Sequence, residues 1–266
     1  MSRVAEVLAE ARAQGRAALV GYLPVGFPDV AGSIDAMVAM VEAGVDIVEI
    51  GVPYTDPLMD GPVIAHAADV ALAHGTRIKD VFTAVRAVAD AGAPALVMTY
   101  WNPVLRYGVD RFADDLAKAG GSGLITPDLI PDEGAEWIAA AERNDLDHIF
   151  LVAPSSTPQR LRSTASACTG FVYAASSMGV TGARATVGDA AQVLVTRTRL
   201  MTDTPICVGL GVSTGAQAAE VAAFADGVIV GSALVRALAD AGPPGEGLTA
   251  IRTLSAELAA GVRKGR

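Results

Sequence analysis

Cysteine is scarce in this sequence, with only Cys168 and Cys207 among 266 residues. Neither has metal-type spacing and both lie near predicted strands. They read as reduced core thiols and not as a disulfide framework. Lysine is nearly as rare: Lys79, Lys118 and Lys264 fall in predicted helices or at the C-terminus. A Schiff-base aldolase needs a buried lysine, so that mechanism is disfavoured. The three histidines, His66, His74 and His148, do not form a metal-ligand set, and no metal site is expected. No Ser-His-Asp assembly suggests itself. Positive charge is also in short supply. The net charge is −9, which leaves no basic footprint for nucleic acid or for an anionic membrane surface. A small phosphorylated ligand stays possible, because backbone N–H groups bind phosphate whatever the net charge. No apolar run approaches a membrane span. The N-terminal segment reads as an amphipathic helix leading into a strand, without a signal-peptide core, and a cytoplasmic location is expected.

What the chain does have is 52% hydrophobic residues, enough for one large core. Short apolar runs alternate with segments of helical period. The predicted strands are 17–23, 46–51, 95–100, 123–128, 148–154, 171–177, 205–212 and 227–234. Ser33 and Gly44 are expected to cap the helix after the first strand. One or two helices are expected between the second and third strands. The strands are near-continuously apolar, as when both faces are buried, and the crossovers imply parallel pairing. Eight such units point to an α/β fold, a (β/α)8 TIM barrel with an extra N-terminal helix and added helices, spanning residues 1–266 as one domain. An open doubly wound sheet is the rival. Its Gly-rich loop after the first strand is not matched by "GYLPVGFPD".

A barrel places chemistry at the C-terminal ends of its strands. The second strand ends at Glu49, on one face with Ile47 and Gly51. An acid facing the barrel interior is costly unless paired or employed, and desolvation raises its pKa toward that of a neutral-pH acid/base. A structural acid bonded to nearby backbone is the alternative. Asp60 and Asp56 lie in the following loop, where turn roles are the ordinary explanation. Pro53, Pro57 and Pro62 stiffen that loop. Segment 176–188 is Gly-rich and polar, either a lid or a plain surface loop. The seventh and eighth strands end in "VGLGVST" and "VGSAL", where many barrels hold a phosphate. The residues alone describe a cofactor-free barrel using carboxylate acid/base chemistry on a small phosphorylated substrate.

The stretches "GYLPVGFPD", "VEIGVPYTDPLMDGPVI", "MTYWNPVLRYG", "GLITPDLIPDE", "MGVTGAR", "VGLGVS" and "GVIVGSALV" closely resemble, in order and spacing, those of the tryptophan synthase alpha subunits. The resemblance covers essentially the whole chain. It implies a TIM barrel that cleaves indole-3-glycerol phosphate to indole and glyceraldehyde 3-phosphate. It implies Glu49 as acid/base and Asp60 as the carboxylate on the indole N–H. It implies a phosphate site at Gly182, Gly211, Gly231 and Ser232, a lid threonine at Thr181, and a tyrosine near the substrate at Tyr173. Tyr22, Ile64, Tyr100, Ile125 and Leu210 match the indole pocket, although Tyr22 and Leu210 are often phenylalanine in that family. Pro53, Asp56 and Asn102 match positions that meet a beta subunit, in an α2β2 heterotetramer. Pyridoxal phosphate is then expected only in that partner, with no cofactor in this chain. The alternatives are a stand-alone lyase, a catalytically silent barrel that activates a partner, and an unrelated phosphate-binding isomerase.

Overall fold

The structure is a computed structural model and describes residues 2–175, 189–209, 211–240 and 245–265. Its strands are β1 (Ala18–Pro24), β2 (Ile47–Gly51), β3 (Ala95–Met98), β4 (Gly123–Ile125), β5 (Asp147–Ile149), β6 (Leu151–Val152), β7 (Val172–Ala175), β8 (Ile206–Gly209) and β9 (Gly227–Val230). All pairings are parallel, in the order β5-β4-β3-β2-β1-β9-β8-β7-β6. The two ends of that order are consecutive in the chain and are joined by Phe150. The fifth expected strand, 148–154, is thus two segments. The first pairs with β4 and the second with β7. The sheet therefore runs around a barrel of eight strand positions, the TIM-barrel arrangement expected. The strands mostly end earlier than their apolar runs. After β9 the chain turns into helix Ser232–Ala239, which Ser232 opens.

The helices pack outside. Two helices, Pro62–Ala73 and Ile78–Asp90, fill the space between β2 and β3. Two more, Trp101–Tyr107 and Val109–Lys118, stand where a single helix was expected between β3 and β4. The helix after β1 runs from Val30 to Glu42, and its N-cap is Asp29, whose side chain accepts from Gly32 N. Ser33 is a correction: it is buried inside that helix, where its Oγ accepts from Gly26 N and donates to Val30 O. Ala43 is the C-cap, and Gly44 follows it with φ 104°, a conformation that favours glycine. Among the described residues, no helix is long and apolar enough to cross a membrane.

Strand alternation divides the core into two layers. Leu19, Leu23, Val48, Ile50, Val97 and Leu124 point outward and pack against the helices. Ala18, Val20, Ile47, Leu96, Ile125 and Ile149 point inward and pack on one another. The N-terminal helix Arg3–Ala13 closes this inner layer with Val4, Leu8 and Ala11. Each fully buried aliphatic side chain contributes roughly 1.5–3 kcal/mol. One end of the barrel is thereby a sealed apolar plug, and the other end is left for the loops.

Candidate active site

Glu49 lies on the inward face of β2, one step beyond Ile47 toward the C-terminal mouth. It is 1% exposed, and neither carboxylate oxygen has a hydrogen-bond partner among the described residues. The backbone-bonded structural acid considered from the sequence is therefore not what stands here. Desolvation pushes its pKa from 4.5 to about 8. At neutral pH the group holds a proton it can give, and its pKa is close enough to neutrality to take one back.

Asp60 arrives from the loop between β2 and helix Pro62–Ala73, whose first turn Pro62 opens. Tyr100 fixes it from the end of β3. The Tyr100 hydroxyl donates to Asp60 Oδ1 at 2.9 Å and accepts from Met59 N at 2.9 Å. Burial raises the Asp60 pKa, and the bond from Tyr100 lowers it. Tyr100 is thus a clamp on Asp60. The Tyr54 ring lies 5.5 Å from that of Tyr100, and the Tyr54 hydroxyl accepts from Asn102 Nδ2 at 3.1 Å. Trp101 N donates to both oxygens of Asp128, at 2.9 and 3.1 Å, which ties the loop after β4 to the helix after β3. Sequence reading singled out neither Tyr54 nor Asp128. The signal for Asp128 was its place just past the end of β4.

Two further tyrosines face Glu49. Tyr22 on β1 is the register partner of Glu49, and Tyr173 lies on β7. Burial drives both phenols well above their ordinary range, and the Glu49 charge acts on each. Each ring occupies a place that a glycine leaves open. A Cβ on Gly51 would sit 2.3 Å from the Tyr22 hydroxyl oxygen, and one on Gly209 would sit 2.5 Å from that of Tyr173. These two glycines were also missed. Their signal was an inward position, in step with Glu49 on β2 and Cys207 on β8.

Gly211 and Gly231 follow the neighbouring strands β8 and β9, and Gly211 has φ 50°. Gly231 precedes Ser232 at the N-terminus of helix Ser232–Ala239, a geometry that offers backbone N–H groups to an anion. Ile125 is buried in the inner apolar layer, and Ile64 on helix Pro62–Ala73 in the outer one. Pro53 and Asp56 lie on the rim, where Leu58 is 72% exposed. Thr181, Gly182 and Leu210 lie outside the described residues, as does segment 176–188. Both cysteines are free and buried. Among the described residues, no group of His, Cys, Asp and Glu could hold a metal ion.

A barrel with a buried, unpartnered acid at its mouth and a second acid clamped beside it has counterparts among known proteins. Residues 8–262 match the family model for the tryptophan synthase alpha chain. The chain belongs to the tryptophan synthase alpha chain family. It is 62% identical to the tryptophan synthase alpha chain of Mycobacteroides abscessus over 262 residues, 98% of each chain. It is also 62% identical to that of Mycolicibacterium paratuberculosis, over 99% of this chain and 95% of the relative. A solved tryptophan synthase structure from Mycobacterium tuberculosis superposes with a TM-score of 0.93 at 61% identity, over 98% of both chains. The alpha subunit from Legionella pneumophila still gives 0.89 at 29% identity, over 98% of both chains. The chain is accordingly a lyase that cleaves indole-3-glycerol phosphate in a retro-aldol reaction to indole and glyceraldehyde 3-phosphate.

Proposed function

We propose that Glu49 is both the acid and the base of this cleavage, and that Asp60 is the carboxylate that holds the indole N–H. The observation that carries this reading is the isolation of Glu49, buried at the barrel mouth with no partner for either oxygen among the described residues. Protonated at neutral pH, Glu49 gives its proton to indole C3. The indole becomes a cationic indolenine, and the ionised Asp60 stabilises it at the N–H. The Glu49 carboxylate then takes the proton of the glycerol hydroxyl next to the ring. The carbon–carbon bond breaks, its electrons return to the ring, and the oxygen becomes the aldehyde of glyceraldehyde 3-phosphate. Glu49 ends as it began, protonated. The two carboxyls suit these roles because burial keeps one neutral while the Tyr100 bond favours the charge on the other.

Gly211, Gly231 and Ser232 would hold the phosphate, with Gly182 joining them and Thr181 meeting Asp60 on closure. Tyr22, Ile64, Tyr100, Ile125, Tyr173 and Leu210 would surround the indole ring. Residues 1–266 would work as one domain in the cytoplasm, as one half of an αβ pair within an α2β2 assembly. Pro53, Asp56 and Asn102 would meet the beta subunit, and the exposed Leu58 beside them supports a docking role for this rim. Pyridoxal phosphate would belong to that partner. No lysine of this chain lies on a strand, and Lys118 is 74% exposed, so the residues here do not fit that cofactor.

The test is indole release by the purified chain, with and without a beta subunit. Glu49→Gln is expected to lower turnover by roughly 10²–10⁴-fold while the protein stays folded. Wild-type turnover in that variant overturns the assignment. A large rise in rate on adding the beta subunit supports the partnership, and an unchanged rate counts against it.

A further inference from the structure

Glu49 becomes an anion halfway through the reaction proposed above, in a place where no described residue places a hydrogen-bond donor on it. The groups that face it are few. Tyr22 comes from β1, Tyr173 from β7 and Cys207 from β8. Asp60 comes from the loop after β2, held by Tyr100 from the end of β3. The inner layer below it is apolar. Among the described residues, the donors that face this carboxylate are the two phenols and the thiol. The Tyr173 hydroxyl lies toward β8, over Gly209 and not over the strand of Glu49. The Cys207 thiol points at β9, where a Cβ on Gly227 would lie 2.5 Å from its sulfur.

Tyr22 is placed differently. Its strand position pairs with Glu49, and its hydroxyl lies over Gly51, the next inward position on the strand of Glu49 itself. That is about 7 Å further toward the mouth, on the side from which Asp60 descends. Gly231 flanks the same ring, and a Cβ there would lie 3.4 Å from Tyr22 Cδ1. The ring is seated between two glycines and is 8% exposed. No hydrogen bond commits its hydroxyl to another described residue.

We propose that the Tyr22 hydroxyl is a positioning group of the cleavage: it donates a hydrogen bond to the Glu49 carboxylate once that carboxylate has given up its proton. The bond turns the carboxylate toward the mouth, where the glycerol hydroxyl must be met. A charge-assisted O–H···O⁻ bond is about twice as strong as a neutral one, and it exists only while the charge does. The inference rests on the acid/base role of Glu49.

The experiment is Tyr22→Phe in the full chain, assayed for indole release across pH, with thermal melting as the check on folding. The ring and its seat are kept. Turnover is expected to fall roughly tenfold, with KM changed by less than about twofold. The high-pH limb of the rate profile should move up by about one unit, since an acid whose anion has lost a donor keeps its proton longer. Gly51→Ala displaces the hydroxyl without deleting it and should move the same limb in the same direction. A limb unmoved in both variants overturns the proposal, as does a loss of rate explained wholly by lower stability. Glu49→Gln assayed alongside separates the two ideas. If it is active, the acid/base reading fails. If it is inactive while Tyr22→Phe keeps the wild-type profile, only the role of the hydroxyl fails.

Discussion

The sealed end of the barrel and its mouth are made from the same strands, two residues apart. At the sealed end Ala18 and Val20 of β1 and Ile47 of β2 meet Val4, Leu8 and Ala11 of the N-terminal helix. One inward step further on, the same two strands present Tyr22 and Glu49. The acids show the contrast most clearly. Asp46 and Asp226 stand just before β2 and β9, at the sealed end. Asp46 accepts from Leu19 N at 2.8 Å and pairs with Arg16 at 2.7 Å. Asp226 accepts from Ile206 N and pairs with Arg199, both at 3.0 Å. These acids stitch neighbouring strands together, each with a backbone donor and an arginine. Glu49 is more deeply buried, and among the described residues it has neither a backbone donor nor a cation. Asp46 and Asp226 are held by the fold they join, whereas a buried acid left without such partners suits the acid/base role proposed for Glu49.

The plug offers the hardest break. Leu8 is 3% exposed and reaches into the inner layer, so Leu8→Ala should cost about 2–5 kcal/mol. Chemical denaturation measures this. The turnover of the folded fraction should be unchanged, because the substituted site is at the far end from Glu49. A variant of full stability with impaired turnover would reverse the division of labour drawn here.

Asp226→Asn addresses the acids directly. It removes the charge that Arg199 and Ile206 N share, and it should destabilise by about 1.5–3 kcal/mol. Arg199 is 41% exposed in its side chain, which keeps the loss toward the lower figure. Equilibrium unfolding in urea reads the change. A neutral or stabilising effect would remove the distinction between satisfied and unsatisfied acids.

The fold was largely legible because its signals are local. Apolar runs, helical periods and caps gave the barrel, and alternation along "IVEIG" turned Glu49 inward. Misplaced boundaries came from local competition. Ser33 has the composition of a cap, but Asp29 four residues earlier takes that role, and Ser33 binds the preceding turn. The strand 148–154 is broken because it must pair on two sides at different heights, which no local pattern records. The site was legible only in part. Asp60 looked like a turn residue, and family resemblance gave it a role. The clamp from Tyr100 joins residues 40 apart in the chain, and the seats at Gly51 and Gly209 exist only once neighbouring strands are side by side.

The smallest effect is also the most discriminating, because its sign is opposite to that of the other two. The Glu49 pKa is about 8 in the folded protein against 4.5 as its ordinary value. Well below pH 4.5 the group is protonated in both states and costs nothing. As pH rises through the window between the two values, the unfolded chain releases this proton and the folded chain keeps it. Folding stability falls across that window by up to about 1.4 kcal/mol per pH unit. Glu49→Gln cannot ionise and escapes the loss. The variant should match wild type well below pH 4.5 and exceed it by up to roughly 3 kcal/mol at pH 7. Melting curves of both proteins across this range read the difference. If the two curves stay parallel, Glu49 is ionised and satisfied in the folded state, and its kinship with Asp46 and Asp226 would be closer than its surroundings indicate. If they diverge, the instability of the mouth is the direct cost of keeping an acid ready to react.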